Sequence, residues 1–487
     1  MNTHHNHLDV IIIGAGLSGI GAAHHLTTKC PDHSFAILEA RPKIGGTWDL
    51  FKYPGIRSDS DMYTLGYAFK PWLDKKALAD GPSILSYIKE TAKEGGYDDK
   101  IKYNHKVIKC DWSSTKSMWS VKVQQKENGE TLNYSCGFLF ACSGYYSYDS
   151  GYIPKFKNRE AYKGIFIHPQ EWPDKLDYHN KKVVIIGSGA TAVTIMPVMA
   201  KIAAKVTMLQ RSPTYILSVP EQDKIANFTN KYLPKNLSYL LTRWRKISMG
   251  LLFFKACRKW PKTMGRMLVK GMKKELADHV PDADFQLTPK YNPWDQRLCA
   301  VPDGDLFESI KNGKGEIVTD HIEEFTDHGI MLKSGKELEA DIVVCATGLI
   351  MKFLGGVTMC IDGMPVDISK SLVFRGMMFS DIPNMAQAFG YTNASWTLKC
   401  DLTCDYVCRL LKYMRKNKLK QVIPKVKNSA SIQREPLLDF NSGYVLRAID
   451  NLPKQGSKKP WKLFQNYFLD LISYRYSSLK DDALEYK

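Results

Sequence analysis

Apolar and polar positions follow a pattern along this chain that occurs twice. The β-branched run from Val10 to Ile13 predicts a buried strand; it runs into Gly14, Gly16 and Gly19, and the apolar spacing then widens to that of a helix. SFAILEA predicts a second strand, ending at Glu39. The same order returns at KKVVIIGSGATAVTIMPVMA, where Gly187, Gly189 and Ala192 fill the three small-residue places and KVTMLQ supplies the next strand. Each copy has a tail. WSVKVQQKENGETLNYSCGFLFACSG alternates on both sides of Asn128-Gly129 and closes on Ser143-Gly144, while EIVTDHIEEFTDHGIMLKSGKELEADIVVCATG turns at Ser334-Gly335 and closes on Thr347-Gly348. Two copies of strand-helix-strand, meander and return strand predict an internally duplicated α/β fold, each parallel sheet backed by a small antiparallel one.

A third pattern lies between Lys231 and Glu275, where Leu237, Leu240, Leu241, Trp244, Ile247 and Leu251 recur three or four apart, the spacing of an amphipathic helix. Glu275 is the only acid in this stretch, and its many lysines and arginines account for much of the formal charge of +18. A solvated basic face over a packed apolar one is the first reading, and contact with a membrane surface the alternative. Nucleic acid is set aside because no recognition motif accompanies the charge. With 44% apolar and 24% charged residues among 487, the chain is a globular one long enough for several domains. Its eleven cysteines are scattered, without a C-x-x-C pair, which argues against a disulfide framework or a zinc site and for a reduced, cytoplasmic setting. Cys400, Cys404 and Cys408 share a helical face and read as small core residues. No apolar run approaches the roughly 18 residues of a membrane-spanning helix, and the opening does not read as a secretory leader.

The glycine patterns carry the candidate chemistry. Gly14 allows a tight turn, Gly16 lets the backbone approach a pyrophosphate at the helix N-terminus beside Ser18, and Gly19 permits close packing. Glu39 arrives about 25 residues after Gly14, near the offset at which an acid holds ribose hydroxyls, so the first copy suits FAD. In the second copy, Gly187, Ser188, Gly189, Ala190, Thr191 and Ala192 form the corresponding turn. The acid's place is taken by Gln210, with Arg211 and Ser212 after it; a guanidinium there binds the 2′-phosphate that a carboxylate would repel, so this copy suits NADPH. Two dinucleotide-binding, Rossmann-like domains follow.

Between the copies stands AYKGIFIHPQEWPD. With Gly164, His168, Trp172 and Pro173 in place and Tyr162 where the pattern has Phe, it resembles the F-x-G-x-x-x-H-x-x-x-W-(P/D) fingerprint of the Baeyer-Villiger branch of the flavin-containing monooxygenases. Nitrogen- and sulfur-oxidising relatives usually carry Tyr and then Lys or Arg at the last two places. YNPWDQRLC, GYTNASWTLK and LPKQGSKKPW extend the likeness over nearly the whole chain, closest to the subgroup that includes mycobacterial thioamide-activating monooxygenases. The resemblance implies an FAD domain in 1–148 and 375–487, an NADPH domain in 149–215 and 296–374, and a helical insertion at 216–295. It further implies that Gly46, Thr47 and Trp48 lie along the flavin, with Gly45 allowing close approach, that Trp461 touches NADP, and that His168 couples the domain positions. Asp59 and Arg297 become the catalytic pair: NADPH reduces FAD, O2 adds at the flavin C4a position, and Arg297 stabilises the oxygen adduct as it attacks a ketone, giving an ester or lactone, with sulfoxidation of sulfides as a side activity. A monooxygenase acting only on nitrogen or sulfur is the rival; disulfide reductases share the duplication but need a cysteine pair that is absent here, and a non-catalytic nucleotide-binding sensor is the third reading.

Overall fold

The computed structural model describes residues 6–126, 129–427 and 429–487, so Asn128 of the first predicted hairpin lies outside the described residues. The first unit opens with β1 (Asn6–Ile13), α1 (Leu17–Lys29) and β2 (Phe35–Leu38), where the apolar run and its helical sequel predict them. Helices α2 (Thr47–Leu50), α3 (Met62–Leu65) and α4 (Gly81–Glu94) precede β3 (Ile101–Lys102), β4 (His105–Ser113), β5 (Met118–Gln125) and β6 (Thr131–Ala141). β1 lies between β2 and β6, parallel to both. The first half of β6 pairs antiparallel with β5 and its second half parallel with residues 385–387. The meander is therefore continuous with the parallel sheet, and not the separate layer that the duplication suggests.

In the second unit β7 (Ile165–Ile167), β8 (Lys182–Ile186), α5 (Ala190–Met199), β9 (Lys205–Gln210), β10 (Ile216–Val219), β11 (Cys299–Pro302), α10 (Asp305–Lys311), β12 (Gly315–Thr319) and β16 (Ile342–Cys345) surround a second core. Its parallel sheet runs β12-β9-β8-β16-β7, and β13 (Ile322–Phe325), β14 (Gly329–Leu332) and β15 (Glu337–Glu339) form a meander of their own. The stretch that resembles a connector thus begins as the edge strand β7 of this sheet.

Both glycine turns have the same geometry. Gly14 has φ +103° and a Cβ there would stand 2.8 Å from the Cys142 carbonyl oxygen; Gly187 has φ +131° and the same atom would stand 2.5 Å from that of Ala346. Each turn is wedged against the end of the returning strand, a conformation and an approach that only glycine tolerates. A Cβ on Gly19 would lie 1.9 Å from the Gly14 carbonyl oxygen, whereas the second copy is spaced to accept Ala192, which is fully buried.

Helices α6 (Lys224–Tyr232), α7 (Lys235–Lys259), α8 (Pro261–Leu276) and α9 (Ala283–Leu287) fill the stretch between β10 and β11, which pair in parallel. The insertion accordingly opens with a strand at residue 216 and becomes helical at 224. The first turns of α7 depart from the first reading, with Leu237, Leu240 and Leu241 exposed and Ser238, Tyr239, Thr242 and Arg243 facing inward, whereas Ile247 is buried as the spacing predicts and Trp244 and Leu251 are half-buried. Hydrogen bonds decide this. Arg243 Nη1 donates to the carbonyls of Tyr63 and Gly66, both at 2.8 Å, and the Tyr239 hydroxyl to that of Tyr67 at 2.9 Å. A buried guanidinium without those acceptors would cost more than several solvated leucines.

The boundary at 374 also requires correction. β17 (Thr358–Ile361) pairs in parallel with β4 and carries β18 (Met364–Pro365) with it, so the chain rejoins the first unit's sheet by residue 358 and covers an edge left open by the meander. α11 (Trp396–Lys416) then packs on α1 with Cys400, Cys404 and Cys408 buried, as their spacing suggests, followed by α12 (Gly443–Leu446) and α13 (Tyr467–Arg475). Among the described residues no helix is long and apolar enough to cross a membrane.

The chain crosses between the units at residues 143–152 and 346–352, and the two crossings are bonded to each other. Ser147 N–H donates to the Ile350 carbonyl (2.7 Å), Lys352 N–H to Tyr145 (2.9 Å), Tyr152 N–H to Gly348 (3.1 Å) and the Thr347 hydroxyl to the Tyr152 carbonyl (2.6 Å). The fingerprint clasps this strap. Buried His168 accepts from Gln170 N–H through Nδ1, which leaves Nε2–H to donate to the Gly348 carbonyl, both at 3.1 Å; the Gln170 amide donates to the Ser147 carbonyl, also at 3.1 Å. Gly151 leaves room for the imidazole, and Gly164 for the Tyr162 ring. Burial lowers the His168 pKa below 6.5, against the pull of its bond to Gly348.

Two outcomes are expected. Gly19→Ala must move backbone apart and lowers stability by about 1–3 kcal/mol in urea unfolding. A histidine held neutral by burial contributes stability that is present above its unfolded value and lost as pH falls, because the unfolded chain takes the proton first. The unfolding midpoint therefore drops as pH falls through about 6.5 toward about 4, and His168→Gln flattens part of that drop; His24, held down to about 4 chiefly by burial, supplies another part.

Candidate functional site

The first glycine turn and the start of α5 open onto one cleft, while Gly187, Ser188, Gly189, Arg211 and Ser212 lie outside its lining. A cavity of about 490 Å³ is lined by Gly14, Gly16, Ser18, Glu39, Gly46, Thr47 and Trp48 from the first unit, by Ala190, Thr191 and Thr194 at the start of α5, and by Asp59 and Arg297 between them. The N-cap residues of α1 and α5, Gly16 and Gly189, have no side-chain cap, so the free amides at both helix starts point outward with their positive dipole ends. Gly16 and Gly46 face each other across the cradle: a Cβ on either would come within 3.7 Å of the other's Cα. Those are the properties of a pyrophosphate seat.

Glu39 is buried at the end of β2, where its two carboxylate oxygens accept from the amides of Ala15 (2.7 Å) and Arg41 (2.9 Å), each oxygen keeping a lone pair for a ribose hydroxyl. Burial raises its pKa, against those two bonds. The Ser18 hydroxyl accepts from the Trp396 indole at 2.7 Å and fixes α11 over the cradle. Thr47 reaches the Tyr148 hydroxyl at 3.3 Å. Arg41, which the motif reading passed over, holds the glycine turn by donating to the Gly46 carbonyl (3.1 Å) and pairing with Asp49 (2.6 Å). Its signal was a cation two places after the ribose acid. The cradle's glycines, its carboxylate and its uncapped helix thus fit an FAD.

At the second turn Gln210 is buried, its amide donating to the Gln286 carbonyl and the Thr319 hydroxyl at 2.8 Å each, so it is committed to the fold. Arg211 is exposed, with no ion-pair partner among the described residues, and the Ser188 hydroxyl ties the glycine turn to the Ser212 carbonyl at 3.2 Å. A Cβ on Gly189 would meet nothing within 4 Å, which leaves the helix start open to a phosphate. A free guanidinium beside an open helix N-terminus fits a phosphorylated ribose. Trp461 does not join the site. It is 2% exposed, packed edge-on to Phe374 at 5.7 Å in the first unit's core, and has no face left for a nucleotide.

Arg297 and Asp59, 238 positions apart, meet at 3.4 Å. The arginine's exposed 37% faces the cleft. Burial works against its charge, but the Asp59 carboxylate raises its pKa, so it is a permanent cation. A small cavity next to it is walled by Phe389, Tyr391, Trp396, Phe440 and Tyr444, with Tyr145 stacked on Trp396 at 5.1 Å; Tyr145, Tyr391 and Trp396 also line the main cleft. Arg57 joins the cleft as well, pairing with Asp305 at 2.5 Å at the start of α10. Neither the tyrosines nor Arg57 stood out in the sequence, since nothing in local spacing marks them.

This constellation has counterparts. Residues 75–360 match the flavin-binding monooxygenase-like family, and residues 12–71 match an NAD(P)-binding Rossmann-like domain. The chain is 51% identical over 481 residues to the FAD-containing monooxygenase EthA of Mycobacterium tuberculosis (strain ATCC 25618 / H37Rv), covering 99% of this chain and 98% of that protein. Its fold is like that of an oxidized steroid monooxygenase bound to NADP (TM-score 0.72, 20% identity, 87% and 89% of the two chains). It is also like ε-caprolactone-bound cyclohexanone monooxygenase (TM-score 0.75, 17% identity, 99% and 100%). With two Rossmann-like units sharing a cleft and this degree of identity over nearly its whole length, the chain belongs to the flavin-binding monooxygenase-like family and is an NADP(H)-dependent, FAD-containing monooxygenase acting on small molecules.

Proposed function

We propose that the enzyme is of Baeyer-Villiger type. Ketone, O2, NADPH and a proton become ester or lactone, NADP⁺ and water, and sulfides are oxidised to sulfoxides in the same cleft. The observation that carries this reading is the Arg297–Asp59 pair between the two nucleotide seats, supported by Trp172-Pro173 in the fingerprint. The ε-caprolactone bound by the cyclohexanone monooxygenase of like fold, itself a lactone, is in keeping with it.

Bound FAD, reduced by NADPH, supplies the activated oxygen; the chain's own residues prepare its surroundings. Glu39 and the two uncapped helices hold the nucleotides, and Arg211 selects the phosphorylated one. Arg297 presents N–H donors and a fixed charge where negative charge grows on the ketone oxygen, and Asp59 holds the guanidinium's orientation. Because these dipoles are already in place, little reorganisation is needed when charge develops. Tyr145, Phe389 and Trp396 wall the reacting region and keep water from it. The proposal includes a cytoplasmic setting, in which eleven unpaired thiols stay reduced.

Arg297→Ala is expected to keep NADPH-driven flavin bleaching under anaerobic conditions while ester formation falls by about 10²–10³-fold, the range for one lost charge-stabilising donor. Retained ester formation would remove Arg297 from its role. Arg211→Ala should narrow the kcat/KM preference for NADPH over NADH by about tenfold or more, the worth of a charge-assisted hydrogen bond. Labelled O2 supplied with a panel of ketones and sulfides tests the reaction class: one labelled atom in an ester supports it, and label in sulfoxides or N-oxides alone overturns it.

A further inference from the structure

The outward turn of α7 leaves apolar side chains where a soluble surface seldom keeps them together. On α6, Ile225, Phe228 and Tyr232 follow one another at helical spacing on the open face, with Phe228 65% exposed and its ring 4.8 Å from that of Tyr232. On α7, Leu237, Leu240 and Leu241 continue the face, with Leu241 50% exposed. The helices are fastened together, the Thr229 and Ser238 hydroxyls meeting at 2.6 Å. Trp244 of α7 packs against Phe468 of α13 at 5.8 Å, and α13 adds Leu469 and Ile472, the latter 61% exposed. Three helices thus present one apolar surface, a feature that marks an interaction site.

Its charge identifies the occupant. Neither α6 nor α7 contains an acidic residue. Exposed Lys224, Lys231 and Lys235 flank the aromatic pair, and Lys231 lies 5.4 Å over the Tyr232 ring. The acids nearest in sequence are already engaged: Asp223 is buried against Arg245 and Lys246, and Glu221 pairs with Lys76. A second copy of this chain would set lysines against lysines. An anionic lipid surface would receive the apolar side chains at its acyl boundary and the ammonium groups among its headgroups.

We infer that the face formed by α6, the first half of α7 and α13 docks the enzyme on anionic membranes. The face cannot turn inward, because Arg243 and Tyr239 are bound to first-unit carbonyls on the opposite side of α7. The inference is independent of the reaction catalysed, since none of these side chains lines the cleft.

Sedimentation of the FAD-loaded protein with vesicles is the test. Vesicles of phosphatidylcholine with about a quarter phosphatidylglycerol are expected to bind it about a hundredfold more tightly than phosphatidylcholine alone, the scale for a few lysines near a charged surface, with the difference shrinking in high salt. Phe228→Glu with Leu241→Glu should cut binding at least about tenfold while flavin content and NADPH oxidation stay unchanged, because both positions are exposed and neither lines the cleft. Equal binding to both vesicle types, no binding, or binding unaffected by the double substitution overturns the inference. So does a concentration-dependent dimer abolished by the same substitutions in protein that ignores vesicles.

Discussion

The structure depends on a steric constraint met twice: a strand must stop, turn through positive φ and start a helix within van der Waals reach of the strand returning beside it. Gly14 against Cys142 and Gly187 against Ala346 satisfy it with the same contact, 2.8 and 2.5 Å from a would-be Cβ to a carbonyl oxygen. From it follow the placing of β1 and β8 between parallel neighbours, the direction of α1 and α5, and two helix starts left open. Glu39 and Arg211 occupy the same place in the two copies, each just past the end of the neighbouring strand, and differ in charge. A single turn geometry thus carries a carboxylate at one rim and a guanidinium at the other.

The parts of the fold governed by that local constraint were legible in the sequence, down to the strand on which each glycine turn rests. What escaped was decided by partners far away in the chain. The leucines of α7 read as a buried stripe because spacing reports which side chains share a face and not which way the face turns; Arg243 and its carbonyl acceptors, some 180 positions earlier, settled that. The re-entry of β17 was hidden by the weak, two-residue hairpin that follows it. Trp461 looked like a nucleotide contact by its place in a motif, but its ring fills a gap beside Phe374. In the site, Asp59 and Arg297 were found only through resemblance, and Tyr145 and Tyr444 not at all, since aromatic residues are common and only the folded chain brings these rings around one guanidinium.

The insertion links its outer surface to the reacting region. Arg258, in the last turn of α7, pairs with Asp295 (3.0 Å) two residues before Arg297 and with Asp439 (3.1 Å) in the segment that leads to Tyr444. Phe254 packs edge-on to Trp294 at 5.4 Å. One helix of 25 residues therefore carries the apolar face at its start and contacts the loop of Arg297 at its end.

The strap between the units has a mechanical meaning. Two lengths of chain bonded edge to edge resist being pulled apart or slid past one another, because either motion breaks the rungs that join them, yet they yield to torsion about their shared line. His168 and Gln170 rivet one end of that torsion bar to the second unit's sheet. A twist about that line leaves the rungs paired and the geometry of each glycine turn unchanged.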